Sequence, residues 1–241
     1  MEFDASVFWE QLFSPAYIRG AALSLGLATL SMVFAIVIGF ALAIGRISRG
    51  RLARGTSGAY IWFFRAIPTL LVLLLVWNAG PQLVPALREE WFTPFIAAFI
   101  GLSVVEGAYM AEIVRSALLS VDEGQPLAAR ALGMTPAQVM WKVIIPQATR
   151  IAIPPAGNEF IGLVKYTSLA SVISLQELLT TAQIGVSVTF RYAEYYAAAI
   201  VYYLVIVSIL MVVQNQVERK FRWSSKVKIA KPARNKKEVA A

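Results

Sequence analysis

The feature that most constrains this chain is a stretch of 26 residues without a formal charge, which lies between Arg19 and Arg46. An α-helix rises roughly 1.5 Å per residue, so about 20 apolar residues are enough to cross the hydrocarbon core of a bilayer. A secretory signal has a shorter apolar core behind a positively charged start, whereas the residues that precede this stretch include Glu2, Asp4 and Glu10. The stretch therefore predicts a retained membrane-spanning helix.

The composition of the 241-residue chain is typical of a membrane protein. Hydrophobic residues make up 58% of it and charged residues only 15%, compared with about 25% charged residues in a typical soluble domain. Cysteine and histidine are both absent. This excludes disulfides, Cys–His and Ser–His–Asp catalytic centres, and metal sites built from those side chains. Catalysis by carboxylates, lysine or serine alone stays open on this composition, and Lys165 with Ser168 would be the Ser–Lys pair of an intramembrane enzyme. No oxyanion-hole pattern or nucleophile motif supports that alternative, so we expect neither catalytic residues nor a metal site.

Five apolar stretches are long enough to span the membrane. In a single domain that covers 1–241, they lie at about 20–45, 58–79, 92–113, 153–174 and 195–217. The second stretch contains Arg65 and Pro68, and the fourth contains Glu159 and Lys165. Because proline removes a backbone hydrogen bond, Pro68 is expected to kink its helix. The predicted fold class is an all-α integral membrane protein with five transmembrane helices.

The distribution of basic residues indicates how these helices are oriented. Seventeen of the 22 lysines and arginines lie in the loop after the first stretch, in the long loop at about 115–151, and in the tail 218–241. Basic residues collect on the cytoplasmic side of membrane proteins. Together with an odd number of spans, this predicts an N-terminus outside the cell and a C-terminus in the cytoplasm. We interpret the tail as an anchor to anionic lipid headgroups, not as a nucleic-acid-binding segment.

The long loop between the third and fourth stretches has the features of a structured segment. Residues 125–132 favour a helix, and Gly133 is suited to the left-handed residue that ends one. Thr135 and Pro136 match an N-cap followed by proline at the first helical position, and the next helix is expected to end or kink at Pro146. The alanines and leucines of the first helix would suit an apolar groove on a partner protein or, equally, a face of the chain's own bundle.

A motif runs through this loop and into the fourth stretch. Its residues are Gly124, Gln125, Ala128, Ala129, Leu132, Gly133, Ile144 or Ile145, Pro146, Gln147, Ala148, Pro154 and Pro155. Together with 65–68 and 158–160, they resemble the permease subunit of ATP-binding-cassette (ABC) importers of the polar amino acid family. The cytoplasmic signature of that family has the form GQxEAAxxLG, followed by a Pro-Gln-Ala sequence and a Pro-Pro pair. The resemblance covers roughly residues 20–216.

The resemblance implies a MetI-like permease of a type I importer, whose cytoplasmic coupling helix docks on a separate ATPase. The coupling residues would be Gly124, Gln125, Ala128, Ala129, Arg130, Leu132 and Gly133. The implied partners are a second permease subunit, identical or homologous, an ABC ATPase dimer and an extracytoplasmic amino-acid-binding protein, in a bacterial inner membrane. One departure is Leu127, where the family usually has glutamate; the lost polar contact favours a non-identical second permease.

The chain itself has no recognisable ATP site. It contains no G-x-x-x-x-G-K-[ST] sequence, which in P-loop enzymes forms the loop that holds the phosphates. We therefore expect a transport subunit that is not an enzyme and has no cofactor of its own, with ATP and Mg²⁺ bound by the partner ATPase. The alternative is an ion-gradient-driven secondary transporter of amino acids, which charged groups inside the membrane would permit.

Charged side chains inside the spans are costly and are therefore candidates for function. Lys165 lies six residues after Glu159, which places the two about 120° apart around a helix. We expect Lys165 to face the carboxylate of an amino-acid substrate and Glu159 to face its ammonium group. Ser168 would be a hydroxyl partner, and Glu106 and Asn158 would lie in the same pathway.

A structural role is the alternative for each of these charges. The two charged residues of the fourth stretch could each pair with Arg65 or Glu106 on a neighbouring helix and only stabilise the bundle. Arg65 could also extend its guanidinium to the cytoplasmic interface. Glu112 and Arg115, which are three residues apart, are expected to form a structural ion pair.

Overall fold

A computed structural model describes residues 3–221, and this part of the chain contains helices and no strands. The α-helices are α1 (Ala5–Leu12), α2 (Pro15–Ile47), α3 (Arg51–Ala66), α4 (Thr69–Leu74), α5 (Gly80–Leu83), α6 (Pro94–Leu119), α7 (Gly124–Ala131), α8 (Pro136–Val139), α9 (Ile145–Tyr166), α10 (Leu178–Thr189) and α11 (Tyr192–Phe221). Two π turns (Leu75–Ala79 and Met140–Ile144) and two 3₁₀ segments (Pro85–Arg88 and Thr167–Ile173) lie between them. The predicted all-α fold class is confirmed, whereas most of the predicted basic tail lies outside the described residues.

Three helices, α2, α6 and α11, are each long and apolar enough to cross a membrane. Two more spans result if each of two bent helix pairs counts as one, namely Arg51–Ala66 with Thr69–Leu83 and Pro136–Ile173 with Leu178–Thr189. Their order along the chain is that of the five predicted stretches.

The bend at Pro68 is much larger than a helix kink. The axis of α3 meets that of Thr69–Leu83 at 103°, and both Ile67 and Pro68 have extended backbone angles. The proline ring disfavours helical geometry at the residue before it, so the helix stops at Ala66 and restarts at Thr69. The second predicted stretch therefore consists of two helices with different directions.

The prolines at 146, 154 and 155 do not end the helix that contains the fourth stretch, since Pro136–Ile173 continues as one helical unit. A π turn precedes Pro146, and in it the Ile145 N–H donates to the carbonyl of Met140, five residues back. The wider turn comes directly before the residue that has no N–H to donate. Pro146 therefore lies next to a change in the hydrogen-bonding pattern and not at the end of the helix.

The core of the bundle is the contact between α2 and α6, which is built from small residues. Ala28 and Ala35 on α2 and Ala97 and Ala98 on α6 have no exposed surface. Small side chains let helix backbones approach closely, which is how membrane helices gain packing energy without help from the hydrophobic effect. Gly39 lies directly against the backbone of α6.

The short helix α1 is fixed to the start of α11 by polar contacts. The Arg191 guanidinium lies 2.9 Å from the Asp4 carboxylate, and the Asp4 N–H donates to the Glu194 carboxylate at 2.9 Å. The hydrogen bond from the Ser6 hydroxyl, supported by Arg191, lowers the pKa of Asp4 below its ordinary value. Asp4 therefore stays ionised in mildly acidic solution and keeps this end of α1 attached.

The substitution Gly39→Ala is expected to lower the thermal unfolding midpoint of the protein in detergent. A Cβ atom at Gly39 would lie 2.6 Å from the Met110 Cβ and 2.8 Å from the Ala111 nitrogen, and overpacking of this kind costs about 1–3 kcal/mol. Gly26→Ala in the same helix is the matched control, because nothing lies within 4 Å of its added atom. Equal midpoints for the two variants would contradict this packing of α2 against α6.

Candidate substrate cavity and coupling segment

A polar cavity of about 180 Å³ opens between the start of α4, the middle of α6 and the second half of α9. It is lined by Thr69, Leu102, Val105, Glu106, Tyr109, Glu159, Leu163 and Tyr166. Two carboxylates, two phenols and one hydroxyl thus face a small volume inside an apolar bundle. A volume of this kind suits a small polar ligand.

Glu106 is the cavity residue whose side chain has a buried oxygen without a hydrogen-bond partner among the described residues. Its surface is 2% exposed, and its Oε1 has no hydrogen-bond partner among residues 3–221. Burying a polar group without a hydrogen bond costs roughly 2–7 kcal/mol. A ligand that donates hydrogen bonds or carries positive charge would remove this cost.

Glu159 reaches the cavity from α9, and its carboxylate repels that of Glu106 electrostatically. Arg65, at the end of α3, attracts Glu159, and its guanidinium lies 5.5 Å from the centre of the Tyr109 ring. Within residues 3–221, no ion pair joins Arg65 or Lys165 to either carboxylate. Among the described residues the two carboxylates of the cavity therefore have no direct ion-pair partner, while Arg65 lies close enough to attract Glu159.

Of the five pathway residues predicted from the sequence, only Glu106 and Glu159 line this cavity. Asn158 and Lys165 are exposed on another side of α9, and the Ser168 hydroxyl donates to the carbonyl of Lys165 at 2.7 Å. The separation of about 120° between residues six apart on a helix explains why the acid and the base point in different directions. Within one chain, the structure does not bring them together.

Sequence reasoning missed the other polar residues of the cavity. Tyr109 follows Glu106 by one helical turn and Tyr166 follows Glu159 by two, so both lie on the same helix face as an acid. This spacing is the signal that could have identified them. The ion pair predicted between Glu112 and Arg115 is confirmed, with 2.8 Å between Oε2 and the guanidinium nitrogen.

The segment after α6 is ordered by local hydrogen bonds. At the end of α7, the Gly133 N–H donates to the Arg130 carbonyl at 2.9 Å, and the Met134 N–H donates to the Ala129 carbonyl at 3.2 Å. These are the two bonds of a Schellman motif, in which the residue past the helix end takes a left-handed conformation. Gly133 has a φ of +81°, so its predicted role as a helix stop is confirmed.

The next helix starts as the sequence predicts, and it is linked to α7. Thr135 and Gln138 form a reciprocal capping box around Pro136. The side-chain amide of Gln147 donates to the side-chain oxygen of Gln125 at 3.5 Å, which connects α7 to α9. The predicted helix–turn–helix organisation of this loop is confirmed.

The surface of α7 points mostly away from the bundle. Leu127 is 65% exposed and Leu132, which follows the helix, is 84% exposed, whereas Ala129 is buried. Within residues 3–221, α7 is thus covered on one side only, and two large apolar side chains, one on the helix and one just after it, are exposed. This exposure favours the partner-groove interpretation of α7 over packing against its own bundle.

Glu177, whose buried carboxylate accepts four hydrogen bonds, was not identified from the sequence. Its carboxylate caps α10 by accepting from the N–H groups of Leu179 and Thr180 at 2.8 and 2.7 Å, and it accepts from the Tyr203 hydroxyl at 3.2 Å. The Ser24 hydroxyl accepts from the Leu178 N–H at 3.3 Å. This buried network joins α2, α10 and α11. The only sequence signal was an acid at the start of an apolar helix.

Comparisons with known proteins agree with this architecture. Residues 35–223 match the family described as binding-protein-dependent transport system inner membrane component. The "Probable amino-acid permease protein YxeN" of Bacillus subtilis is 39% identical over 216 residues, which are 89% of this chain and 96% of that protein. The glutamine transport system permease protein GlnP of Escherichia coli is 33% identical over 222 residues, which are 92% and 99% of the two chains.

Two solved transporters have the same fold. A chain from the crystal structure of an amino acid ABC transporter with histidines superposes with a TM-score of 0.81 at 33% identity, covering 91% of this chain and 100% of that one. A chain of the MetNI methionine ABC transporter in an inward-facing conformation gives a TM-score of 0.72 at 24% identity, covering 86% and 97%. The MetI-like fold predicted from the sequence is confirmed.

The substitution Glu177→Ala is expected to lower the free energy of unfolding by about 1–3 kcal/mol, because it removes a helix cap and leaves buried donors without an acceptor. Glu177→Gln keeps one acceptor oxygen and should lose less. The exposed Glu10→Ala on α1 is the control. Thermal denaturation in detergent measures all three, and a Glu177→Ala midpoint equal to that of the control would exclude a stabilising role for this network.

Proposed function

Because this chain belongs to the family of binding-protein-dependent transport system inner membrane components, the permease subunits of ABC importers, we propose that it forms the membrane pathway for a polar amino acid. In this family the permease is not itself an enzyme, since the ATPase is a separate partner. The observation that carries the proposed substrate class is the similarity over about nine tenths of the chain to permeases named for amino acids.

The substrate would be held by charges of both signs. Glu106 and Glu159 supply negative charge in a cavity where one carboxylate oxygen lacks a partner, which supports binding of an ammonium group. Lys165, on an exposed side of α9, would face the substrate carboxylate, with Ser168 and Asn158 next to it. Because the acids line the cavity and the base lies on another side of α9, a substrate that contacts both would need a pathway that lies between two permease subunits.

The second permease subunit would supply the other wall of this pathway, and it would be identical or homologous to this chain. An extracytoplasmic amino-acid-binding protein would deliver the substrate. An ABC ATPase dimer would bind ATP and Mg²⁺, so this chain would need no cofactor. Its coupling residues would be those at 124, 125, 128–130, 132 and 133, because they form the displayed helix α7 and its stop.

The N-terminus would lie outside the cell and the C-terminus in the cytoplasm, in the inner membrane. The support is the distribution of basic residues, which places α7 on the cytoplasmic side. Exposed leucines at positions 127 and 132 would then face the ATPase and bury their apolar surface in its groove.

Single cysteines in this cysteine-free chain test the orientation and the coupling contact together. A membrane-impermeant maleimide is expected to label Leu132→Cys only from the cytoplasmic side, and labelling should fall severalfold when the ATPase subunits are bound. The matched control is Leu83→Cys, which is 80% exposed at the opposite end of the bundle. Leu83→Cys should react only from outside, and its labelling should not change when the ATPase is bound. Equal labelling of Leu132→Cys with and without the ATPase would contradict the coupling contact.

Glu159→Gln and Lys165→Met are each expected to raise the KM of ATP-driven uptake by about 10- to 100-fold, the value of a lost charge-assisted hydrogen bond. Uptake is measured in vesicles with the amino acid that the wild type transports best among radiolabelled glutamine, glutamate, arginine and histidine. ATP hydrolysis by the assembled complex should persist, and Glu10→Gln should resemble the wild type. An unchanged KM in both variants would overturn the proposed substrate contacts.

A further inference from the structure

The direction of α3 does not fit a membrane-spanning helix. It lies at 103° to Thr69–Leu83, and that segment packs along α6, with Leu73 next to Gly101 and the ring of Trp77 5.6 Å from that of Phe92. Because α6 crosses the membrane, Thr69–Leu83 follows the crossing direction. The axis of α3 must then run close to the plane of the membrane.

The depth of α3 is fixed by its contacts with α2 and α6. Ser57 packs against Gly45, which lies two residues before the end of α2 at Ile47. Further along, the Tyr60 hydroxyl donates to the Val104 carbonyl at 2.9 Å. Ser57, near the middle of α3, therefore lies at the level where α2 leaves the membrane, which is the level of the lipid headgroups. From there the Tyr60 side chain extends toward the middle of α6.

The side of α3 that faces away from the bundle is apolar. Ser57 and Ile61 are 7% and 5% exposed, whereas Leu52, Trp62 and Phe63 are 79%, 71% and 47% exposed. At about 100° per residue, these three large side chains fall within an arc of about 100° opposite the buried pair. No other helix covers this face within residues 3–221. Large apolar side chains at headgroup depth are stabilised when they are among lipid chains.

The arginines of α3 occupy one flank between the two faces. Arg51, Arg54 and Arg65 fall within an arc of about 60° around the helix. Neither Arg51 nor Arg54 has an ion-pair partner within the described part of the chain, and both are exposed. A basic flank beside an apolar face with tryptophan is the pattern of a helix that lies in the membrane surface, and its charge is complementary to anionic headgroups.

We propose that α3 is an interfacial helix that inserts Leu52, Trp62 and Phe63 among lipid chains and binds anionic phospholipid headgroups through Arg51 and Arg54. The leaflet is the cytoplasmic one under the proposed orientation, while the position of α3 in the plane does not depend on that orientation. The last turn of the same helix carries Arg65, next to Tyr109 of the polar cavity. Anionic lipid at one end of α3 is thereby connected to the cavity by a single 16-residue helix.

Depth measurements on spin labels test the position of α3 in the assembled transporter. Leu52→Cys and Trp62→Cys are ten residues apart, so their labels would differ in depth by about 15 Å if α3 crossed the membrane. In vesicles of phosphatidylcholine and phosphatidylglycerol, the depth of each label is measured from its accessibility to oxygen and to a nickel chelate. We expect both labels to lie at the same depth, just below the headgroups. Leu83→Cys, which is 80% exposed at the opposite end of the bundle and away from the ATPase, is the water-exposed control. A large depth difference, or accessibility of both labels equal to the control, would overturn the proposal.

The preference for anionic lipid is tested with a fluorophore on Leu52→Cys and headgroup-labelled quenching lipids. Spin-labelled phosphatidylglycerol should quench severalfold more than spin-labelled phosphatidylcholine. The preference should fall about fivefold in an Arg51→Gln/Arg54→Gln double variant and at high salt, as expected for arginines near an anionic surface. Arg19→Gln, at the other end of α2, should leave it unchanged. Equal quenching by the two lipids, or a preference that survives the double variant, would show that the arginines do not bind headgroups.

Discussion

The continuity of the helical unit Pro136–Ile173 is the constraint on which the architecture depends. Its first part is joined to α7 through Gln147 and Gln125, and Glu159 in its second part lines the polar cavity. Packed helices move as rigid bodies or by small shifts, not by continuous deformation. A displacement of α7 by a partner would therefore be transmitted along one helix to the cavity, although they lie in different parts of the bundle.

Two buried acids in the bundle differ in how far their carboxylates are satisfied by hydrogen bonds. Glu177 has no exposed surface, and its carboxylate is satisfied by backbone and side-chain donors from α10 and α11. Glu106 is buried almost as completely, yet one of its oxygens lacks a partner within residues 3–221. Since an unsatisfied polar group is expensive in lipid, the first acid is explained by the fold alone. The second is not explained by the fold alone, and it is the group for which we propose a ligand.

The sequence predicted the features that depend on local chemistry. The turn at Gly133 follows from the left-handed conformation that glycine accepts, and the cap at Thr135 from a hydroxyl that reaches the next turn. The size of the bend at Pro68 was not predictable, because the proline excludes a straight helix without fixing the new direction. The roles of Glu177 and Tyr203 were not predictable either, because they meet through packing between distant segments. Likewise, helix geometry predicts the angle between Glu159 and Lys165 around α9. It does not predict which of the two side chains faces the cavity, because that depends on how α9 packs.

We propose that this chain moves its substrate only when a separate ATPase drives it through α7. The most direct test is uptake of radiolabelled amino acid by vesicles that contain the permease pair and its binding protein, with and without the ATPase subunits. We expect uptake to require the ATPase subunits and ATP inside the vesicles, and to be unchanged by a proton or sodium gradient. Accumulation by the permease alone, driven by a proton or sodium gradient, would contradict it and identify the chain as a secondary transporter.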